Sequence, residues 1–546
     1  MALWTDRRAL LRGVGGLGAA ASLAAPLGAC ANASVVGFDK QKKSLDIANS
    51  SEPLSLDPHK VTGTWENNIV GNMFVGLTTE DPQSGIAPGM AERWEVSEDA
   101  LTWTFFLRRA VWSDGEACDA HDFEFAFRRI LDPANMCQYA SVLYPIKNAQ
   151  AVNEGRMRVE HIGVSALDDL TLQIELENPA AYLPALLKHY TAYPVPKHKV
   201  TAFGDNWIQP ENVVVNGPYT LRKWWSNYIV HVQRNPVFYD AANVELEDLY
   251  FYPGSDINAA ARKVMAGEAG WSTRFPSNQV GELQRDLPGY VRIAPFLTVN
   301  YFSFNLERDT WKDVRVRQAL TMAFDRDFVA REIYKTGERA AYSFIPPGVA
   351  NYPGTAKYRW AELSMEQRLV EAQRLLRLAG YGPNNPLRFE FSHRSSSDNP
   401  RVAVAAQWSW RRIADWVNVS LRSVEAQVHY DNLRTKRFDI GDGAWTADFN
   451  DAKNYLYLME TRSGSQNFCS YSNPTFDQLV LQSDSERDQG ARAQIMVRAE
   501  QLMLDEAPVC TSVFLNSTNL VHPDLTGYED NLEDIHRARW FGIKRS

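Results

Sequence analysis

The chain has 546 residues, 45% of them hydrophobic and 23% charged, with a formal net charge of −9. That length suffices for more than one packed core, the composition is that of a globular rather than a disordered chain, and the acidic balance excludes the basic footprint that nucleic-acid binding needs. Sixteen Trp, 22 Tyr and 25 Phe make a heavy aromatic load, of the kind that lines ligand clefts as well as cores.

Residues 1–31 read as a targeting segment, outside any fold. Arg7-Arg8-Ala9-Leu10-Leu11-Arg12 resembles a twin-arginine export signal, with Asp6 where Ser or Thr is more usual. The Ala/Gly/Leu run that follows is too short and too rich in Gly for a membrane span. Two endings compete. Leu27-Gly28-Ala29-Cys30 resembles a bacterial lipobox, which would leave Cys30 lipidated at a new N-terminus, whereas Ala29-Cys30-Ala31 fits a signal-peptidase site that would release a soluble chain. The lipobox is favoured, because both its spacing and its Cys agree. Removing residues 1–29 deletes Arg7, Arg8 and Arg12 against Asp6, which takes the formal charge from −9 to about −11. Gly13 to Gly18 spells G-x-G-x-x-G, but no strand precedes it and no βαβ unit follows, so it carries no nucleotide.

From Lys43 to about Phe74 the pattern predicts a strand, a turn at Asp57-Pro58, then a helix. Leu101, Trp103, Phe105 and Leu107 alternate with their neighbours, a period-2 strand. After the Asp114-Gly115 turn, Asp119 is a good N-cap with Asp122 three residues on. Phe123, Phe127 and Ile130 recur at helical spacing until Asp132-Pro133 stops the helix. Leu170 to Leu176 form a second alternating strand, and Pro194-x-Pro196 marks a crossover between domains. Asn216-Gly217-Pro218 opens a hairpin built on Tyr219–Leu221 and Ile229–Val232. Ala259 to Ala266 is helical, with Gly267 as its stop. A strand over Tyr301–Asn305 precedes a helix capped by Asp313, with Val316, Leu320 and Phe324 on one face. Further helices span about 365–379, 401–417, 474–485 and 491–506, with strands near 387–392, 419–425, 438–445 and 508–515 between them. This alternation predicts α/β lobes.

Four cysteines follow the targeting segment: Cys118, Cys137, Cys469 and Cys510. An exported chain permits disulfides. Cys118 with Cys137 and Cys469 with Cys510 are the candidate pairs, and sequence does not decide between pairing and none. Asp119-x-His121-Asp122 has the residue types of a metal site, but helix capping explains both acids, and no metal is expected. The ten His fall in no H-E-x-x-H, and no G-x-S-x-G elbow occurs. The chain therefore reads as a binding protein without a cofactor, an exported hydrolase being the remote alternative.

The stretch that suggests what is bound is Ala444-Trp445-Thr446-Ala447-Asp448-Phe449-Asn450, where an aromatic sits three residues ahead of a carboxylate among small residues. An indole face and an ionised Asp together suit a cation. The run resembles the Gly-Trp-x-Ala-Asp-Tyr-Asn motif of the oligopeptide-binding proteins of ABC importers. Ser55-Leu56-Asp57-Pro58-His59-Lys60, Leu101–Phe105 with Trp112-Ser113-Asp114-Gly115, Asn216-Gly217-Pro218-Tyr219, Arg234-Asn235-Pro236, Ala266-Gly267-Glu268, Val314–Leu320 and Tyr471-x-Asn473-Pro474-x-Phe476-Asp477 resemble that family's segments in order.

The resemblance implies a two-lobed periplasmic-binding fold with an extra small domain and non-contiguous segments. One lobe would take 32–74, 197–297 and 516–546, the small domain 75–196, and the other lobe 298–515. It further implies a monomeric receptor that closes on a peptide and hands it to a membrane permease. Asp448 would meet the peptide's α-ammonium beside Trp445, with Tyr139 approaching from the small domain. The backbone of Gly443, Ala444, Trp445 and Thr446 would pair with the extended ligand like an added strand, and water would fill the side pockets. Departures from the family bear on the ligand. Asp442 stands where a family Arg can meet a carboxylate, Thr62 replaces a Glu, Arg274 an Asn, and Gln427 a pocket Trp, while Thr446 stands where some relatives carry a disulfide cysteine. Arg274 or Arg434 would then be the partner of a ligand carboxylate. A relative tuned to a nickel complex, haem or a sugar is the alternative reading.

Overall fold

In the computed structural model, residues 37–395 and 398–545 are described, so the export segment, the lipobox and Cys30 lie outside the described residues. The first long strand, Ser44–Ala48, is buried at every position. It pairs in parallel with both Asp248–Tyr252 and Trp271–Ser272. The hairpin Tyr219–Trp225/Ile229–Arg234 continues that sheet outward. In the other half, Leu387–Arg394 lies between Val417–Val424 and Ile440–Thr446, parallel to both.

Two strands belong to both halves. Val291–Phe304 and Val509–Val521 pair antiparallel over most of their length, with register shifts between Pro295 and Val299 and between Val299 and Tyr301. One end of this ribbon meets Trp271–Ser272 and the other meets Ile440–Thr446, so a single 12-stranded sheet runs through the molecule. Apolar side chains separate into two large cores. One gathers residues between Phe38 and Phe251 with Trp271 and the C-terminal Phe541, and the other is drawn from Leu297 to Phe514. Two cores joined by two continuous strands make a two-lobed α/β fold, and bulges in such connections are where bending concentrates.

A separate antiparallel sheet, in the order Ala91–Val96, Thr102–Leu107, Thr171–Glu175, Val164–Asp168, packs against the helix Ala120–Leu131. That helix starts as expected. Asp119 accepts from His121 N–H and forms a capping box with Asp122, and the helix stops before Asp132-Pro133.

Several boundaries differ from expectation. The helix expected over 401–417 runs only from Asn399 to Arg411, because Trp416 and Val417 already lead into the next strand. The strands expected at Tyr301–Asn305 and 508–515 are the ends of much longer ones, whose alternation the bulges interrupt. Phe324 caps the helix Val314–Ala323 instead of lying within it. Neither candidate disulfide forms: Cys118, Cys137, Cys469 and Cys510 are all free and buried. Among the described residues no helix is long and apolar enough to cross a membrane, and no group of three or more His, Cys, Asp or Glu could hold a metal ion.

Candidate functional site

The motif strand Ile440–Thr446 is fully laddered on one side, from Thr298↔Thr446 to Phe304↔Ile440. On the other side, Leu387–Arg394 pairs only with Ile440 and Gly441. From Asp442 onward that edge has no ladder partner among the described residues, which leaves main-chain groups of Gly443 to Thr446 available to an added extended segment. A Cβ at 443 would come within 3.1 Å of the Tyr301 ring, so any larger residue there would have to push that ring aside by a few tenths of an ångström. Thr446 and Thr298 join hydroxyls across the ladder at 2.7 Å.

Asp448 lies just past the end of this strand, its side chain 11% exposed. Asn454 organises its surroundings: Asn454 Oδ1 accepts from Trp445 Nε1 at 2.8 Å and from the Asp448 N–H at 3.1 Å. Tyr139, on the segment that follows the helix Ala120–Leu131, brings its hydroxyl within hydrogen-bonding reach of the carboxylate. His189 Nε2 stands 3.9 Å away and is the only basic group within 4 Å of the carboxylate among the described residues. Burial drives the His189 imidazole down to about 3, so it is neutral and supplies no counter-charge. Burial likewise pushes the Asp448 carboxyl up to about 7, against the pull of the hydrogen bonds from Asn454 and Tyr139. A nearly buried carboxylate with hydrogen-bond donors but no protein cation beside it among the described residues suits a cationic ligand group.

The wall opposite is aromatic. Tyr139 stacks on His189 at 5.9 Å, His189 meets Tyr190 at 3.9 Å, and Trp445 makes an edge contact with Tyr457 at 5.7 Å. Phe449, the residue after Asp448, stacks on Tyr182 at 5.1 Å and joins the core of the opposite lobe. The two lobes therefore touch at Asp448. Sequence reasoning brought Asp448, Trp445 and Tyr139 together and missed Asn454, His189, Tyr190 and Tyr182. The last three come from a segment distant in sequence, and no local pattern announces them.

Asp442, where a cation was the expected type, is itself paired. Arg394 donates Nε to Asp442 at 2.8 Å, and His429 Nε2 lies 2.9 Å from its other oxygen. Burial opposes ionisation of Asp442, but Arg394 and His429 outweigh it and hold the carboxyl at about 2. Arg434 is exposed and pairs with Asp431 at 3.1 Å in the last turn of its helix, and Arg274 is exposed on the loop after Trp271–Ser272.

Two lobes that meet at a buried carboxylate suited to a cationic ligand define the class of solute-binding receptors. The chain belongs to the bacterial extracellular solute-binding proteins, family 5, whose profile matches residues 85–467. It is 34% identical over 512 residues to the periplasmic oligopeptide-binding protein OppA of Salmonella typhimurium, covering 92% of this chain and 93% of that one. Haemophilus influenzae OppA in complex with RPPGFSPFR superposes with a TM-score of 0.84 at 30% identity, covering 93% of this chain and all of that one. An unliganded open form of the murein tripeptide-binding protein MppA, at 31% identity and covering 92% and 98%, superposes less well, at 0.75. The present conformation is thus nearer to the peptide complex than to that open form.

Proposed function

We propose that this protein is an exported, periplasmic receptor that encloses a peptide between its lobes and delivers it to an ABC-transporter permease. The observation that carries the reading is Asp448: it sits where the lobes meet, almost buried, with hydrogen-bond donors but no cationic side chain beside it among the described residues. A peptide's α-ammonium supplies the missing charge, in a charge-assisted hydrogen bond strengthened by exclusion of water. Trp445 and Tyr139 wall the ammonium, and the open edge of Gly443 to Thr446 pairs with the peptide backbone, which binds tightly without reading side chains. The ligand's carboxyl end is assigned to Arg274 or Arg434, both exposed, the latter shared with Asp431.

The relatives' names, oligopeptide-binding and periplasmic, support the same reading. We further propose that Cys30 carries a lipid, that the receptor acts as a monomer, and that its lobes are drawn from the non-contiguous segments 32–74 with 197–297 and 516–546, 75–196, and 298–515. The separation into two cores joined by two shared strands supports the division between 298–515 and the rest, the other core being shared by residues of 32–74, 75–196 and 197–297.

The test is calorimetry on peptides that co-purify with the protein, identified by mass spectrometry and resynthesised with free and acetylated N-termini. Asp448→Ala removes a buried ionic partner and is expected to cost about 2–5 kcal/mol of binding, well over tenfold in affinity. Acetylation should weaken binding to the parent by a comparable factor, and the empty variant should melt no lower than the parent. Equal affinity for free and acetylated forms would reject the ammonium contact.

A further inference from the structure

Beside Gly443 lies a small cavity with space for about one water-sized centre, about 10 Å³. Phe302, Phe391 and Val402 give it apolar lining, and Asn300, Arg394 and Asp442 give it polar lining. Its charges are already committed. Arg394 donates Nε to Asp442 at 2.8 Å, Nη1 to the Tyr430 hydroxyl at 3.0 Å and Nη2 to Asn399 Oδ1 at 3.4 Å. Asp442 also accepts the main-chain N–H of Arg394 at 2.9 Å and is flanked by His429 at 2.9 Å.

Two other lining residues are less fully satisfied. Asn300 Oδ1 and Ser512 Oγ are buried with no hydrogen-bond partner among the described residues, while Asn300 Nδ2 donates to the Tyr334 hydroxyl at 2.8 Å. An orphaned carbonyl oxygen at a cavity wall calls for a donor. An ionised carboxylate brings acceptors only, so it would face Asn300 Oδ1 and a charge pair already neutralised, with no uncommitted cation in the lining to offset its own charge. A hydroxyl brings the donor, carries no charge, and matches the space.

We propose that this cavity is a selectivity subsite of the peptide cleft, which takes a hydroxyl-sized uncharged donor from the ligand and turns carboxylates away. Arg394 and Asp442 set that preference by neutralising each other, so the subsite reads hydrogen bonding in place of charge. The proposal rests on the peptide-receptor reading and adds a ligand class to it: peptides with Ser or Thr at the position that reaches Asp442, and no acidic group there.

Calorimetry with tetra-alanine as free acid and as C-terminal amide, and with the amide carrying one Ser, Glu or Lys at each position after the first, tests it. For the parent, at one of these positions Ser should bind at least about tenfold better than Glu and Lys. Asp442→Asn leaves Arg394 uncompensated and should shift the Glu-to-Ser ratio by about tenfold or more toward Glu. Arg394→Gln should shift it toward Lys, and the double variant, neutral again, should return to the parent's order even if either single variant folds poorly. Comparing the free acid with the Glu-bearing amide separates a terminal carboxylate from a side-chain one. A parent that binds Glu as well as Ser at every position, or an Asp442→Asn variant with the parent's ratio, overturns the subsite while leaving the receptor reading intact. Failure of the parent to bind any of these amines overturns both.

Discussion

Asn454 holds the site together at a distance of one side chain. Its Oδ1 serves two buried donors, Trp445 Nε1 and the Asp448 N–H, and so fixes indole and carboxylate relative to each other. Replacing it with Ala leaves both donors without an acceptor, at about 1–3 kcal/mol for each buried group left unpaired. Asn454→Ala is therefore expected to lower stability by about 2 kcal/mol or more in urea unfolding. It should also weaken peptide binding by less than Asp448→Ala does, because the charge itself remains. Trp445 and Asp448 were legible together because they lie three residues apart in one run of small residues. Asn454 was not, since an amide on the next helical turn has no spacing that distinguishes it from an ordinary surface residue.

Between elements, the turn at Asp57-Pro58 is fastened to the helix Ala120–Leu131 by Arg129. Its Nη2 and Nη1 meet the two Asp57 oxygens at 2.6 and 3.1 Å, and Trp207 Nε1 adds a bond at 3.2 Å. Burial opposes ionisation of Asp57, but Arg129 outweighs it and holds the carboxyl below its usual range. This pair therefore stabilises the fold above the ordinary carboxylate range and loses its contribution as pH falls through the depressed value. Arg129→Met leaves a buried unpaired carboxylate, and urea unfolding at pH 7 should show a loss of about 3–5 kcal/mol. The loss should shrink at about pH 4, where the orphaned Asp57 takes up a proton. Both partners were visible in the sequence, Asp57 as a turn residue and Arg129 on a helix, but the contact spans 72 residues and no periodicity predicts it. Alternation and caps located most elements. It failed where the long shared strands Val291–Phe304 and Val509–Val521 are bulged, so that only their regular ends were readable.

For the whole molecule, the same carboxylate that recognises the ligand governs closure. In this closed arrangement Asp448 has no cationic side chain beside it among the described residues, and burial raises its carboxyl from 3.8 to about 7. With the lobes apart, the side chain returns to water and to an ordinary carboxylate value. Between those two values the closed empty form holds more protons than the open one, so acid favours closure. The benefit is complete below the ordinary value and is lost as pH rises through about 7. A shift of this size corresponds to a bias on the order of 4 kcal/mol, enough to move a two-state equilibrium between mostly open and mostly closed. Small-angle scattering of the ligand-free protein should therefore give an open radius of gyration at pH 8 that contracts toward the ligand-bound value at pH 5. Asp448→Asn, with no charge to bury, should be equally closed at both pH values, and saturating peptide should abolish the pH dependence of the parent. A ligand-free radius that ignores pH in the parent would mean that closure over an empty site is not limited by this charge. If the contraction is seen, the receptor is kept open at neutral pH by the cost of burying Asp448 alone, and a ligand closes it by bringing the cation that removes that cost.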